Sequence, residues 1–289
     1  KLEASTSHGG VNIPDKICGL ERETLFKHIA CMENLDATKF DIAEIASHLA
    51  RMGWSEANAG NISVLMPRGT VFDPGENPKS YHLPEPVQVL AGRTLVITAT
   101  GSRFRRMPRD INTQIIPLTI SERGTAALWP SHLPGPTSEI GTHIQVHSLS
   151  PDMGWKGSAI VHTHSTKMLT LSSSDLPGEM LQDAVERAHP EISILMKKGL
   201  AFLDFAPPGT WDLGRETMER FKNANAVIWR KHGILGFAED IEMACDYVEM
   251  TEKAAEILLL EKSAFDTFLG LKDRELEQLQ NELPTGISL

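Results

Sequence analysis

The sequence predicts an α/β fold in a single domain. Three observations carry that expectation. Strand-like and helix-like segments alternate along the chain, and no repeat, low-complexity tract or clear linker interrupts them. The 289 residues, 41% of them hydrophobic, can also bury a substantial core without disulfides. A helical extension of unassigned role, about residues 1–40, is expected at the N-terminus of the domain 1–289.

Residues 22–52 read as helix. In TKFDIAEIASHLARMGW the residues Ile42, Ile45, Ala46, Leu49 and Met52 recur at three- and four-residue spacing, one apolar stripe that Gly53 stops. NAGNISVLMP follows as a glycine-containing turn and then a strand, with Ile62, Val64 and Met66 alternating. Residues 67–92, rich in Pro and Gly, read as an elaborated loop, and RTLVITATG as a β-branched strand entering a turn at Gly101. PSHLPGPT punctuates the chain before a helix for which Thr137 or Ser138 would be the N-cap, ahead of the acidic Glu139. SAIV then reads as strand, STKMLTLSS as helix, GLAFLDFAPPGT as strand and turn, and ANAVIWRKHGILGF as two strands about a glycine turn. The last long helix runs from about Ile241 to Ser263, with Ile241, Ala244, Val248, Ala255 and Leu258 roughly on one face.

With 28 basic and 38 acidic residues the formal charge is −10, which argues against nucleic acid and anionic membranes as partners. Any bound anion must be captured locally, by backbone N–H groups and a few chosen side chains. Cys18, Cys31 and Cys245 form no CxxC pair and leave an odd count, which points to a reducing compartment and away from a disulfide framework or a zinc finger. No apolar run approaches the length of about eighteen residues that a spanning helix needs, and no signal pattern opens the sequence. The cytoplasm is therefore the expected location, and the sequon Asn61-Ile62-Ser63 is read as chance. The first dozen or so residues, which start at Lys1 rather than Met, are expected to be a remnant of expression or of processing.

The chemistry starts at SAIVHTHSTKML. Side chains two apart on a strand share a side, so His162 and His164 would converge. Catalytic zinc usually takes three protein ligands and keeps an open position. His232, which closes the run AVIWRKHG and precedes a glycine directly, is the best third candidate. The plain alternative is two ordinary histidines, one of them satisfied by a backbone carbonyl. A rival site also exists: Glu139, His143 and His147 would share one face of the predicted helix, although the HExxH arrangement is missing and the face could simply meet solvent or other subunits. NAGN (Asn58–Asn61), TATG (Thr98–Gly101) and PTSE (Pro136–Glu139) are small-residue donor clusters able to hold a phosphate without net positive charge, or equally ordinary turns. Together with a zinc site they suggest a phosphorylated substrate. Neither GxGxxG nor GxxxxGK[ST] occurs, so nucleotide binding has no motif behind it.

The ordered set ANAGNIS, TATG, PTSE, VHTHS and KHG resembles the class II aldolase/adducin family, from about residue 40 to residue 265. GWSEANAGNIS, GSRFRRM, GPTSEIGTH and VIWRKHGILGF fall in the same order. The long loops before TATG and PTSE resemble the branch that acts on L-rhamnulose 1-phosphate. That branch favours TGSG where this chain has TATG, so Thr100 keeps the hydroxyl and Ala99 replaces a glycine.

The resemblance implies a three-layer α/β/α fold with a central, largely antiparallel sheet covered by helices. It implies that His162, His164 and His232 hold one Zn²⁺ per subunit. Glu139 would be the principal acid/base and a metal ligand when substrate is absent. Asn58, Gly60, Asn61, Thr100, Gly101, Thr137 and Ser138 would surround the substrate phosphate. A second glutamate before PPGT would assist at the aldehyde end. It matches Glu191, with Glu186 and Glu179 nearby as alternatives. The implied reaction is reversible cleavage of L-rhamnulose 1-phosphate into dihydroxyacetone phosphate and L-lactaldehyde through a metal-held enediolate, in a homotetramer with active sites between subunits. Fuculose-phosphate aldolases, a sugar-phosphate epimerase, a thioribulose-phosphate dehydratase and the non-catalytic adducin head share the family. The intact His162, His164, His232 and Glu139 set speaks against the last.

Overall fold

A computed structural model describes residues 16, 17 and 20–282. Short strands β1 (Lys16–Ile17) and β2 (Leu20–Glu21) pair antiparallel and lead into helix α1 (Arg22–Arg51). Strands β3 (Asn61–Leu65), β4 (Lys79–His82) and β5 (Thr94–Thr98) follow, then the single-turn helix α2 (Ile111–Gln114) and strands β6 (Ile115–Ile120) and β7 (Ala126–Trp129). Next come α3 (Ile140–His147), β8 (Ser158–Thr163), α4 (Thr166–Ser172), α5 (Gly178–Arg187) and α6 (Pro190–Leu195). The chain continues through β9 (Leu200–Leu203), α7 (Trp211–Phe221), β10 (Ala226–Trp229), β11 (Gly233–Ala238), α8 (Ile241–Phe265) and α9 (Asp273–Glu282).

Nine strands form one sheet in the order β4-β7-β6-β5-β3-β8-β11-β10-β9, antiparallel throughout except for the parallel pair β10–β9. Both faces are covered, as the apolar residues show by alternating along single strands. Val96, Ala159, Val161 and Ile234 pack with α1 and α8, while their neighbours Leu95, Ile97, Ile160 and Leu235 pack with α3 and α7. Central strands thus read as continuous apolar runs, β5, β8, β10 and β11 being buried at every position. The expected three-layer α/β/α architecture with a largely antiparallel sheet is the observed one.

Some elements differ from expectation. The segment 67–92 is not all loop, because it contains β4 and a 3₁₀ turn at Gln88–Leu90. The turn between β10 and β11 puts Lys231, not a glycine, in the left-handed region at φ +63°. Helix α3 starts one residue later than a Ser138 cap would place it and two later than a Thr137 cap would. Glu139 stands at its cap position, and no side chain caps the helix there. Cys18 lies outside the described residues, Cys245 is a buried free thiol, and Asn61 is buried as well, so its sequon is closed to glycosylation in the folded chain. No described helix is long and apolar enough to cross a membrane.

Sheet register decides where the chemistry can gather. His162 on β8 sits opposite Asn61 on β3 and Leu235 on β11. The beginning of β3, the end of β5, the end of β8 and the beginning of β11 therefore meet at one end of the sheet.

Candidate active site

His162 and His164 project from the same side of β8 and its extension, and the β10–β11 turn carries His232 to meet them. The three ring centroids lie 5.2, 5.1 and 5.1 Å apart, nearly an equilateral triangle, and one ligand nitrogen from each falls within 4.8 Å of the others. Hydrogen bonds aim the rings. The Nδ1–H of His162 donates to the Ile234 carbonyl at 2.9 Å, and the Nδ1–H of His164 donates to the Glu56 carboxylate at 3.0 Å. Each assignment leaves Nε2 as the lone-pair donor facing the centre. Trp229 stacks on His232 at 5.0 Å and is held by its own indole N–H, which donates to Thr217 Oγ1 at 2.8 Å.

Electrostatics favour neutral rings. Burial, helped by the charge of His164, pushes His162 down to about 3, against a smaller upward pull from its bond to Ile234. Burial and His162 push His232 down to about 4, although Glu139 pulls upward. At neutral pH both are uncharged imidazoles. Glu56 behaves oppositely: burial raises it, but the bonds to His164 and to its own backbone outweigh burial, so it stays an ionised anchor. The fit to a divalent cation rests on an orphan. His162 Nε2 is buried and has no hydrogen-bond partner, a cost that a metal ion would remove. Three imidazoles with an acid close by match what zinc selects.

Glu139 supplies that acid. Its Oε2 stands 3.5 Å from His162 Nε2 and its Oε1 stands 3.5 Å from His232 Nε2. The carboxyl is buried and accepts a hydrogen bond from Asn61 Nδ2 at 2.9 Å. Beside it opens a cavity of about 120 Å³. Asn58, Gly60, Asn61, Thr100, Gly101, Thr137 and Ser138 all line it, as do Glu139 and the three histidines, with no Lys or Arg among the lining residues. An anion there meets neutral donors only. The Thr100 N–H is already given to the Gly135 carbonyl at 2.8 Å, so that residue can offer a ligand its hydroxyl but not its amide. Gly60 is glycine for two reasons: its φ is +81°, and a Cβ would stand 2.8 Å from the His162 carbonyl oxygen.

The rival grouping of Glu139, His143 and His147 does share one helix face, but its imidazoles are engaged. Ser63 Oγ lies 2.6 Å from His143 Nδ1 and 2.7 Å from His147 Nε2; His147 Nδ1 contacts Ser158 Oγ at 2.7 Å, and His143 Nε2 contacts Asn61 Oδ1. No ring nitrogen is left for an ion. Among the described residues, the set with metal-ligand geometry is His162, His164 and His232.

Comparison with known proteins gives the family. The family described as Class II Aldolase and Adducin N-terminal domain matches residues 40–259. The chain belongs to that family. Among relatives of this class II aldolase, the rhamnulose-1-phosphate aldolase of Listeria innocua serovar 6a is 26% identical over 246 residues, which is 83% of this chain and 90% of the relative. The rhamnulose-1-phosphate aldolase of Yersinia pseudotuberculosis serotype IB is 28% identical over 222 residues, 74% of this chain and 81% of that one. Among solved structures, a sugar-phosphate aldolase from Thermotoga maritima superposes with a TM-score of 0.67 at 35% identity, covering 80% of this chain and 97% of that chain. The class II aldolase is thus an enzyme of the lyase type.

One expected residue of the aldolase stands apart. Glu191 opens α6 as an exposed carboxylate, with the His189 ring at 2.9 Å holding it below the usual carboxylate range, and it does not line the cavity of its own chain. Its alternatives are also elsewhere: Glu186 accepts from the Leu200 N–H at 3.1 Å, and Glu179 lies in the first turn of α5. Conversely, sequence reading did not single out Glu56, Ser63, Trp229 or Gly233. The signal for Gly233 was present in KHG, where a glycine directly follows the third histidine.

Gly233 packs against two of the candidate ligand histidines. A Cβ there would meet the Thr163 carbonyl oxygen at 2.5 Å, His162 Cε1 at 2.7 Å and His164 Cδ2 at 3.1 Å. Gly233→Ala is expected to fold but to splay the rings, weakening metal binding by about 10–100-fold, the usual cost of disturbing ligand orientation. Competition against a chromophoric chelator, alongside a melting curve, measures this. Unchanged affinity would mean that the rings tolerate the shift.

Proposed function

We propose that the chain is a zinc-dependent aldolase that reversibly cleaves L-rhamnulose 1-phosphate into dihydroxyacetone phosphate and L-lactaldehyde. The observation that carries the reading is convergence: three imidazoles, one buried carboxyl group and a cradle of uncharged donors share one cavity. The relatives named rhamnulose-1-phosphate aldolase support the choice of sugar, as do the long loops before TATG and PTSE.

His162, His164 and His232 would hold the ion, and Glu139 would complete its shell until substrate arrives. When bound, the ion supplies Lewis acidity to the substrate carbonyl and makes the neighbouring C–H more acidic. Glu139 then takes the proton from that carbon in the synthetic direction and returns it in cleavage. It stands beside the histidine triangle and is held in place by Asn61. Asn58, Gly60, Asn61, Thr100, Gly101, Thr137 and Ser138 would grip the phosphate, so that binding energy at the inert end orients the reacting end.

A cavity of about 120 Å³ is small beside the 300 Å³ or more usual for ligand pockets, which supports a site completed by a second subunit. Glu191, exposed and outside its own cavity, fits that arrangement as the group that protonates the aldehyde oxygen in a neighbouring copy. A homotetramer with intersubunit sites therefore gives a complementation result. Glu139→Gln and Glu191→Gln are each expected to be impaired. Chains mixed and reassembled should regain activity, because in a random head-to-tail ring about a quarter of sites draw both carboxylates from unaltered copies. Absence of recovery after verified subunit exchange would place both groups in one chain or remove Glu191 from the reaction.

The reading as a whole is tested by coupled detection of dihydroxyacetone phosphate across a panel of ketose 1-phosphates. L-Rhamnulose 1-phosphate should give the highest kcat/KM, a chelator should abolish turnover, and Zn²⁺ should restore it. Preference for another ketose phosphate would redirect the substrate, and chelator-resistant cleavage would remove the metal.

A further inference from the structure

Beneath the candidate base lies an array of buried polar groups that the proposed reaction does not use. It runs from α3 to the start of β8: Glu139, Asn61, His143, Ser63, His147, Ser158 and Ser150, each within hydrogen-bond distance of the next. All seven are buried, and His143, Ser63, His147, Ser158 and Ser150 are at most 1% exposed. An interior network of this size is costly unless every member is satisfied, so its pattern of donors can be worked out link by link.

As the carboxylate base of the proposed reaction, Glu139 only accepts, so the Asn61 amide must turn its NH₂ toward Oε2, which leaves its carbonyl facing His143 Nε2. That nitrogen must therefore carry the hydrogen. Burial pushes His143 down to about 3 and His147 well below its ordinary value, so both rings are neutral and have one N–H each. His143 Nδ1 is then bare and accepts from the Ser63 hydroxyl. Ser63 in turn accepts from His147 Nε2–H, and His147 Nδ1 accepts from the Ser158 hydroxyl. From Ser158 to Glu139 every donated hydrogen points toward the carboxylate, while the Ser150 hydroxyl at the far end lies against both Ser158 Oγ and the His147 carbonyl. Reversing one link would put the Asn61 carbonyl against the Glu139 carboxylate or two hydrogens between one pair of atoms. An amide does not pass a proton on readily, so the array orients and does not conduct.

We propose that His143 is a positioning residue: its Nε2–H locks the Asn61 amide, which in turn engages Glu139 Oε2 and leaves Oε1 as the oxygen that exchanges the substrate proton. Ser63, His147 and Ser158 fix the tautomer of His143. The inference rests on the aldolase reading, since it assigns a purpose to the base of that reaction.

The test uses the zinc-loaded full chain and follows solvent-deuterium exchange into dihydroxyacetone phosphate, which needs the base but no aldehyde. His143→Leu should keep its metal content and melting temperature, yet exchange about 10–100-fold more slowly with KM changed less than about threefold, the scale seen when an outer partner of a reacting group is removed. His143→Gln restores an N–H at that place and should recover most of the rate. Should His143→Leu not fold, Ser63→Ala serves instead, with a smaller loss expected and metal retained. Independently of activity, nitrogen-15 spectra of labelled histidine should show His143 and His147 as neutral Nε2–H tautomers. A wild-type chain that fails to exchange deuterium overturns the aldolase reading. A wild type that exchanges while His143→Leu matches it, or an Nδ1–H tautomer at His143, overturns the positioning role alone.

Discussion

Replacing His164 by alanine is expected to abolish bound metal and cleavage together. The ring would contribute one of three ligand nitrogens, and its Nδ1–H is anchored on Glu56, so its direction is built into the protein. Deleting it leaves two imidazoles and Glu139, a set with a gap on the open side of the site, where water competes for the ion. His162 and His232 remain but cannot close around the vacancy, because His162 is tied to the Ile234 carbonyl and His232 is stacked on Trp229. Activity should fall by at least about a thousandfold, which corresponds to losing several kcal/mol of transition-state stabilisation. The fold should survive, since His164 is only partly buried and its backbone N–H still donates to the Trp54 carbonyl at 2.9 Å. The metal-free variant should therefore melt where metal-free wild type melts, below the loaded wild type, because an ion that binds only the native state stabilises it by mass action. Elemental analysis, melting curves and lactaldehyde release settle the matter. Full zinc occupancy with normal cleavage in His164→Ala would dismantle the ligand assignment.

Parts of this architecture were legible in the sequence, and the reasons differ by element. α1, β3, β5, β8 and α8 carry clean periodicity, and the structure places them within a residue or two of expectation. β6 hides behind Pro117, which reads as a strand breaker. The strand tolerates it because β7 pairs β6 only at Thr119 and Ile120, leaving Pro117 paired on one side alone, with Val96 of β5. β4 is four residues, KSYH, none buried, and has no apolar alternation to betray it. α7 buries Leu213, Thr217 and Phe221, and the threonine in the middle interrupts its apolar stripe while serving Trp229.

At the site, the histidine pair was visible because strand alternation alone puts His162 and His164 on one side. Glu56, Ser63 and Trp229 were not, since their roles follow from pairing register and from the path of the loop between α1 and β3. Asn61 shows the limit most clearly. Its motif suggested a phosphate ligand and nothing more, whereas its side chain already contacts Glu139 and His143, so Asn61→Leu should lower kcat as well as raise KM.

Glu139→Gln separates base from metal, and the expected result is a chain that keeps its zinc and loses turnover. Glutamine matches the shape of the carboxylate. Its carbonyl oxygen can still accept from Asn61 Nδ2, so the link between α3 and β3 stays satisfied. Three imidazoles remain to hold the ion, and the donors around the phosphate are untouched, so KM should move little. What disappears is the capacity to take a proton. General acid–base groups of this kind contribute about 10²–10⁴-fold, and a loss of that size in kcat is the prediction. Glu139→Asp refines it, because it keeps the charge but draws the carboxylate back by about one methylene; misplacement of that order can cost about 100-fold, giving a rate above that of the glutamine variant and well below wild type. Near-normal turnover in Glu139→Gln at full metal occupancy would leave Glu139 as a structural partner of Asn61 and move the proton to another group. Because the other groups of the cavity are the three candidate ligand histidines and neutral donors, that group would have to come from a second subunit, with Glu191 the first to replace.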